Sequence, residues 1–162
     1  MIRNGNFLLM EKSEFRDWLK QQAVTRPIKT LQVHHTWIPN YTTRKNQDPF
    51  KCLEGMRNSH LKQGWVDIGQ NFTVLETGQI AYSLGRGLNA IPAGIKGANT
   101  NSLCIEIVGN FDIGGDKMTE EQKDSVVHLY ACLAEKLNIT VDTNHIVYHH
   151  WFDLNTGKRI DY

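Results

Sequence analysis

Residues 103–108, with the sequence LCIEIV, form an apolar run that is interrupted only by Glu106. A short run of this kind, rich in β-branched residues, is typical of a β-strand that is covered on both faces. Such a strand needs a layer of structure above it and another below it. The run therefore predicts a layered fold with a buried sheet, and it places one carboxyl group inside that sheet.

The rest of the chain supplies the elements that such a fold requires. Further strands are predicted at residues 30–35, at residues 146–149, and as a hairpin, residues 71–75 and 79–82, around Gly78. Apolar residues at helical spacing predict helices after Ser13, over residues 50–61, and between Thr119 and Asn138. Without any internal repeat or linker, this order predicts one α/β domain, residues 1–162, with a central mixed β-sheet flanked by helices.

Composition narrows the class of function. The chain has 162 residues, and its 18 Lys and Arg are scattered among 17 Asp and Glu. This balance predicts neither a nucleic-acid partner nor a basic membrane face. The three cysteines, Cys52, Cys104 and Cys132, are odd in number and widely spaced, which argues against a disulfide framework and favours reduced thiols.

The opening of the chain contains one apolar segment, residues 7–10. A segment of this length is too short for the core of a signal peptide or for a membrane span. We therefore expect synthesis in the cytoplasm and no membrane insertion. A substrate outside the cell would then be reached only after release by another route.

Three residues near strand ends or in the tail could hold a metal ion. Because side chains alternate along a strand, His34 and His35 face opposite sides, so only one of them is expected to be a ligand. His34, His149 and Asp161 together could form a zinc site with two imidazoles, one carboxylate and an open position for water. The structural alternative is that each histidine is satisfied by backbone or solvent.

Glu106 is the candidate general base. Burial would raise its pKa toward the range that is useful for proton transfer, whereas an ion pair with an arginine would make it structural. Cys104 is expected to be a core residue. A cysteine hydrolase using Cys104 and a histidine is a rival interpretation, although no activating partner lies near it in sequence.

Five ordered blocks of sequence carry a resemblance to a known family. They are VHHT at residues 33–36, QGWVDIG at residues 63–69, Phe72 with the Gly78 turn, NSLCIEIVGN at residues 101–110, and VYHH at residues 147–150. In this order the blocks resemble the type 2 N-acetylmuramoyl-L-alanine amidases, whose fold is shared by phage amidases and peptidoglycan recognition proteins. The resemblance covers nearly the whole chain.

The resemblance implies a role for each candidate residue. His34 and His149 correspond to zinc ligands, Glu106 to the general base, Asp161 to the third ligand, and Arg159 to a basic residue that stabilises the oxyanion. The implied reaction is zinc-dependent hydrolysis of the amide between N-acetylmuramic acid and L-alanine, with peptidoglycan or a muropeptide as substrate. The implied setting is a phage or prophage lysin that acts on the cell wall after release.

Two departures from the family pattern leave alternatives open. Gln70 stands where many members have a tyrosine, so a tyrosine-assisted mechanism is disfavoured and Glu106 is the stronger candidate. The Cys-Pro-Gly motif of many members is absent, so the third ligand is either Asp161 or a residue beyond Tyr162. A non-catalytic module that binds peptidoglycan without cutting it is the alternative function.

Overall fold

The computed structural model describes residues 1–160. Their strands are β1 (Ile2–Asn4), β2 (Phe7–Met10), β3 (Thr30–His35), β4 (Phe72–Val74), β5 (Ile80–Ser83), β6 (Ser102–Ile107) and β7 (Ile146–Tyr148). Their helices are α1 (Lys12–Lys20), α2 (Tyr41–Arg44), α3 (Pro49–Lys62) and α4 (Glu120–Leu137), and a 3₁₀ turn follows β7 at His149–Trp151. In this part of the chain, no helix combines the length and apolar character needed to cross a membrane.

The strands form one mixed sheet in the order β1-β2-β5-β4-β6-β3-β7. The first three pairings, from β1 to β4, are antiparallel. The last three, β4 with β6, β6 with β3, and β3 with β7, are parallel. The predicted α/β class with a central mixed sheet is confirmed.

Apolar side chains cover the sheet on both faces. One face packs against α1 and α4 through Phe15, Trp18, Leu129 and Leu133, which meet strand residues such as Ile105. The other face packs against α3 through a second group of buried residues: Phe7, Leu9, Phe50, Leu53, Ile68, Leu75, Ala81 and Val108. The double cover explains why residues 103–108 contain so few polar side chains.

The helix boundaries follow from capping. Asp48 caps α3, because its Oδ1 accepts hydrogen bonds from the backbone N–H groups of Phe50 and Lys51. Thr119 caps α4 by accepting from the N–H of Gln122, and Asn138 ends α4 in the left-handed conformation at φ 54°. The caps of α4 are those that the sequence predicts.

One prediction of local structure is wrong, and strand β2 was not predicted. The first helix is capped by Glu11 instead of Ser13, and it begins at Lys12. It ends at Lys20, so Ala23, an apolar residue at helical spacing, lies outside the helix and is exposed. The apolar segment 7–10 is strand β2, which the sequence reading missed. It pairs with β5 on one side and with β1 on the other, so its apolar residues belong to the core.

The hairpin turn provides a test of the fold. Gly78 has φ +85°, and a Cβ built there would lie 2.8 Å from the carbonyl oxygen of Glu121 in α4. Gly78→Ala should therefore lower the free energy of unfolding by about 1–3 kcal/mol, through both backbone strain and the clash. Thermal or chemical denaturation measures the change.

A second glycine serves as the matched control. Gly55 lies within α3, and a Cβ there would meet no heavy atom within 4 Å. Gly55→Ala should keep or raise the stability, because alanine favours a helix by about 1 kcal/mol over glycine. Equal stability of the two variants would contradict the described turn.

Candidate metal and catalytic centre

The centre lies at the carboxyl ends of the parallel strands. The register of β3 with β6 sets Gln32 opposite Cys104 and His34 opposite Glu106. Because side chains alternate along each strand, these four side chains project from the same face of the sheet, the face away from α1 and α4. The sheet therefore assembles a row of polar groups inside its covered region.

Each ring nitrogen of His34 has a polar neighbour. Its side chain is 3% exposed; Nδ1 lies 3.6 Å from Oε1 of Glu106, and Nε2 lies 2.8 Å from Oε1 of Gln32. Burial lowers the pKa of His34 to about 3, with smaller contributions in the same direction from the nearby His149 and His35. The imidazole is therefore neutral at physiological pH, which is the form that binds metals.

His149 opens the 3₁₀ turn that follows β7, instead of ending the strand as predicted. Since β7 pairs with β3, the turn brings the ring centroid of His149 to 4.6 Å from that of His34. Burial, and then the charges of His150 and His35, lower the pKa of His149. Two neutral imidazoles thus face each other although they lie near opposite ends of the sequence.

Glu106 carries an unpaired buried oxygen. Its side chain is 20% exposed, yet Oε2 is buried and has no hydrogen-bond partner among the described residues. Burial raises the pKa of Glu106 to about 8. Two arginines pair with other carboxylates, Arg44 with Glu76 and Arg57 with Asp67. The ion-pair contact that Glu106 makes among the described residues is with His34.

Cys104 lies closer to the centre than its expected core role suggests. One donor atom from each of His34, Cys104 and Glu106 lies within 4.8 Å of the others, so this trio could also approach a metal ion. The residue is 1% exposed, and burial raises the pKa of its thiol well above the ordinary value. The neutral thiol is therefore a poor nucleophile, in spite of the neighbouring histidine.

Of the two candidate residues in the tail, Arg159 and Asp161, only Arg159 lies within the described residues. Arg159 is exposed; its backbone pairs with Phe152, and its guanidinium carbon lies 5.0 Å from the ring centroid of Trp151. That position alone does not assign a catalytic role, so its oxyanion function stays a prediction. Asp161, the predicted third ligand, lies outside the described residues.

A cavity of about 350 Å³ adjoins Glu106. It reaches Glu106 and Gln70 from a rim formed by α3 and the loop after β3, and its wall includes Thr36, Ile38, Pro39, Met56 and His60. Gln70 is buried, and its Nε2 donates to Oγ1 of Thr73 at 3.1 Å. The family tyrosine position is thus occupied by an amide that is engaged within the protein.

The sequence reading missed Gln32 as a part of the centre. The same two-residue alternation that separates His34 from His35 puts Gln32 and His34 on one face, and it could have identified this residue. The contact depends on the side-chain conformation, which alternation does not supply.

A covered α/β sheet that brings two imidazoles and a carboxyl group together at its strand ends offers the ligand and base types of a catalytic metal site. A family model described as N-acetylmuramoyl-L-alanine amidase matches residues 24–161. The chain belongs to this family.

Relatives of known name agree with the assignment. The endolysin of Enterobacteria phage K11 is 31% identical over 74 residues, which are 46% of this chain and 46% of that protein. The alignments with such curated relatives thus span about half of their length. The solved structure of the endolysin amidase LysCS from Clostridium intestinale is 28% identical, with a TM-score of 0.62, over 81% of this chain and 73% of that one.

A second solved structure contains a ligand. It is a point mutant of Drosophila PGRP-LB in complex with tracheal cytotoxin, which is 27% identical with a TM-score of 0.63. The match covers 80% of this chain and 73% of that one. The proteins that resemble this chain therefore include both endolysins and peptidoglycan recognition proteins.

The state of the thiols can be measured directly. Cys52, Cys104 and Cys132 are free and buried, and burial raises the pKa of Cys52 to about 11 and that of Cys104 well above its ordinary value. At neutral pH, native protein should resist iodoacetamide at Cys104, and mass spectrometry should show all three cysteines labelled after unfolding in guanidinium chloride. Rapid native labelling of Cys104 with loss of activity would instead support the cysteine hydrolase.

Proposed function

We propose that this chain, as one catalytic domain over residues 1–162, hydrolyses the amide between N-acetylmuramic acid and L-alanine in a zinc-dependent reaction. The observation that carries the proposal is the convergence of two imidazoles with the Glu106 carboxyl group, whose buried Oε2 has no hydrogen-bond partner among the described residues. The family membership supports the same reaction class.

The residues present fit a zinc ion. His34 and His149 are neutral donors whose rings face each other, and the unpaired Oε2 of Glu106 lies in a region where a cation or its water would satisfy it. Two neutral ligands leave the charge of the ion uncompensated, so we assign the third, anionic ligand to Asp161. The thiol of Cys104 is set aside as a ligand, because its burial favours the protonated form.

Glu106 is the proton carrier of the proposed reaction. Zinc, when bound, polarises the amide carbonyl and lowers the pKa of a bound water. The carboxylate of Glu106 accepts a proton from the attacking water and then delivers it to the leaving amine. The pKa of about 8 that burial gives this group falls when a cation is held nearby, so the group can ionise near neutral pH.

Gln70 cannot replace Glu106 as the proton carrier. A carboxamide does not ionise near neutral pH, so it cannot act as a general base, and Nε2 of Gln70 donates to Oγ1 of Thr73. We assign oxyanion stabilisation to Arg159, which stands two positions before Asp161 as the resemblance implies.

The cavity beside Glu106 is the proposed substrate cleft. Its described wall carries amide, hydroxyl and apolar groups, with Glu106, His60 and Cys52 as its titratable side chains. At the same loop, Trp37 and Ile38 are more than half exposed, and they offer apolar surface to a sugar ring or a stem peptide. The PGRP-LB complex with tracheal cytotoxin supports a cell-wall ligand for this fold.

The proposed setting is that of an endolysin, which is synthesised in the cytoplasm and acts on peptidoglycan after release. The names of the phage relatives support this setting. The alternative is a module of the same fold that binds peptidoglycan without hydrolysis. Zinc content and released product separate the two.

The metal assignment predicts which variants lose zinc. His34→Ala, His149→Ala and Asp161→Ala should each lose bound zinc while keeping the folded state, because each removes one of three ligands. Elemental analysis after gel filtration and circular dichroism measure both properties.

Cys104→Ser is the matched control for this experiment, since Cys104 lies beside His34 but is not an assigned ligand. It should retain the full zinc content of the native chain. Full zinc in Asp161→Ala, with loss in Cys104→Ser, would replace the proposed ligand set with one that includes the thiol.

The assignment of the base predicts a loss of turnover without loss of metal. Glu106→Gln should lower kcat by about a hundredfold or more, because the amide cannot carry the proton, while zinc content and fold persist. Initial rates on purified peptidoglycan provide the measurement.

Glu76→Gln is the control, because Glu76 is a carboxylate of nearly equal exposure that is paired with Arg44. It should lower stability and leave kcat of the folded enzyme within about twofold of the native value. A native rate in Glu106→Gln would make Glu106 structural.

A further inference from the structure

We propose that Gln32 is a positioning residue that holds the proton of His34 on Nε2 and so directs the Nδ1 lone pair to the metal. The proposal deepens the proposed function, and it rests on the metal role of His34. Gln32 is fully buried in β3, two residues before His34. Its own chemistry is amide hydrogen bonding, since it cannot ionise.

The orientation of the Gln32 amide is fixed by its other contacts. Nε2 of Gln32 donates to the carbonyl oxygen of Ala98 and to Oδ1 of Asn99, each at 3.1 Å. A backbone carbonyl can only accept, and Oδ1 of Asn99 is held as an acceptor by the N–H groups of Gly94 and Ile95 at 3.0 Å. A flipped amide would set oxygen against oxygen, so Oε1 must face His34.

The amide orientation determines the direction of the hydrogen bond between Gln32 and His34. Oε1 of Gln32 lies 2.8 Å from Nε2 of His34 and can only accept, so Nε2 must carry a hydrogen. A neutral imidazole has one N–H, which leaves a lone pair on Nδ1. Nδ1 is the nitrogen on the side of Glu106, 3.6 Å from its Oε1. Gln32 thus selects the histidine tautomer that presents a free donor atom to the centre.

A surface loop maintains this arrangement. The residues that fix Gln32 all belong to the segment 94–99, which packs directly over it. A Cβ at Gly94 would lie 2.1 Å from Oε1 of Gln32 and 3.1 Å from Nε2 of His34, so only glycine permits the approach. The chain of contacts therefore runs from the loop backbone through Asn99 and Gln32 to the metal ligand.

The test uses the intact chain and the near-isosteric variant Gln32→Met, which removes the acceptor. We expect zinc affinity, measured by competition with a chelator, to fall about 10- to 100-fold. In the metal-free protein, ¹⁵N NMR of the histidine rings should show His34 protonated on Nε2 in the native chain and a mixture of tautomers in the variant. The His34 signal is assigned by its loss in His34→Gln.

Two further variants separate positioning from packing. Gln122→Met removes another fully buried glutamine, which donates to the carbonyl oxygens of Val74 and Val108. It should lower stability but leave zinc affinity and the His34 tautomer unchanged. Gln32→Glu retains an acceptor for Nε2–H but replaces the amide donor to Ala98 and Asn99, so it should keep His34 protonated on Nε2 while lowering stability.

The positioning role of Gln32 and the metal role of His34 can fail separately. Native zinc affinity and an unchanged Nε2-protonated His34 in Gln32→Met would overturn the positioning role. If the native chain binds no zinc, the metal proposal fails, while the tautomer measurement still decides whether Gln32 controls His34.

Discussion

The parallel pairing of β3 with β6 is the interaction on which the centre depends. Its register sets His34 opposite Glu106 and Gln32 opposite Cys104. A shift by one residue would move each polar group to the apolar face under α1 and α4 and destroy both the core and the centre. The pairing of β7 with β3 then delivers His149 to the same strand ends. The backbone hydrogen bonds of these strands thus position His34, Glu106 and His149 without the help of a ligand.

Buried polar groups at the centre lack some of the hydrogen bonds that they could form. Oε2 of Glu106 is buried without a partner among the described residues, and burial moves the pKa values of His34 and Glu106 in the directions that favour their neutral forms. Such groups cost stability unless a ligand completes them. The two apolar layers, with Phe15 and Leu133 on one side and Leu53 on the other, supply that stability. Oε2 of Glu106 is the atom at the centre that is left without a partner among the described residues, and it is the one that we assign to the proton of the attacking water.

Much of this arrangement could be predicted from the sequence, because local signals determine it. Alternation in β3 separated His34 from His35, and the apolar run around Glu106 predicted a covered strand. The β1–β2 hairpin was missed because its apolar segment is too short to show a period, although the two-residue turn Gly5-Asn6 is a local hairpin signal. Alternation places Gln32 on the face of His34, but their contact depends on side-chain orientation, and the position of Cys104 beside them depends on which strands pair. The local sequence pattern specifies neither. The catalytic role of Arg159 stays a prediction, and Asp161 lies outside the described residues.

The central claim is that this fold cuts the lactyl amide with the help of zinc. The most direct measurement is mass spectrometry of the products released from purified peptidoglycan, before and after chelation and after zinc is restored. The account predicts stem peptides with a free N-terminal alanine and glycan strands with intact lactyl groups, which disappear with chelator and return with zinc. Peptidoglycan that is bound but yields no new amino group, with or without zinc, would contradict it and favour the binding module.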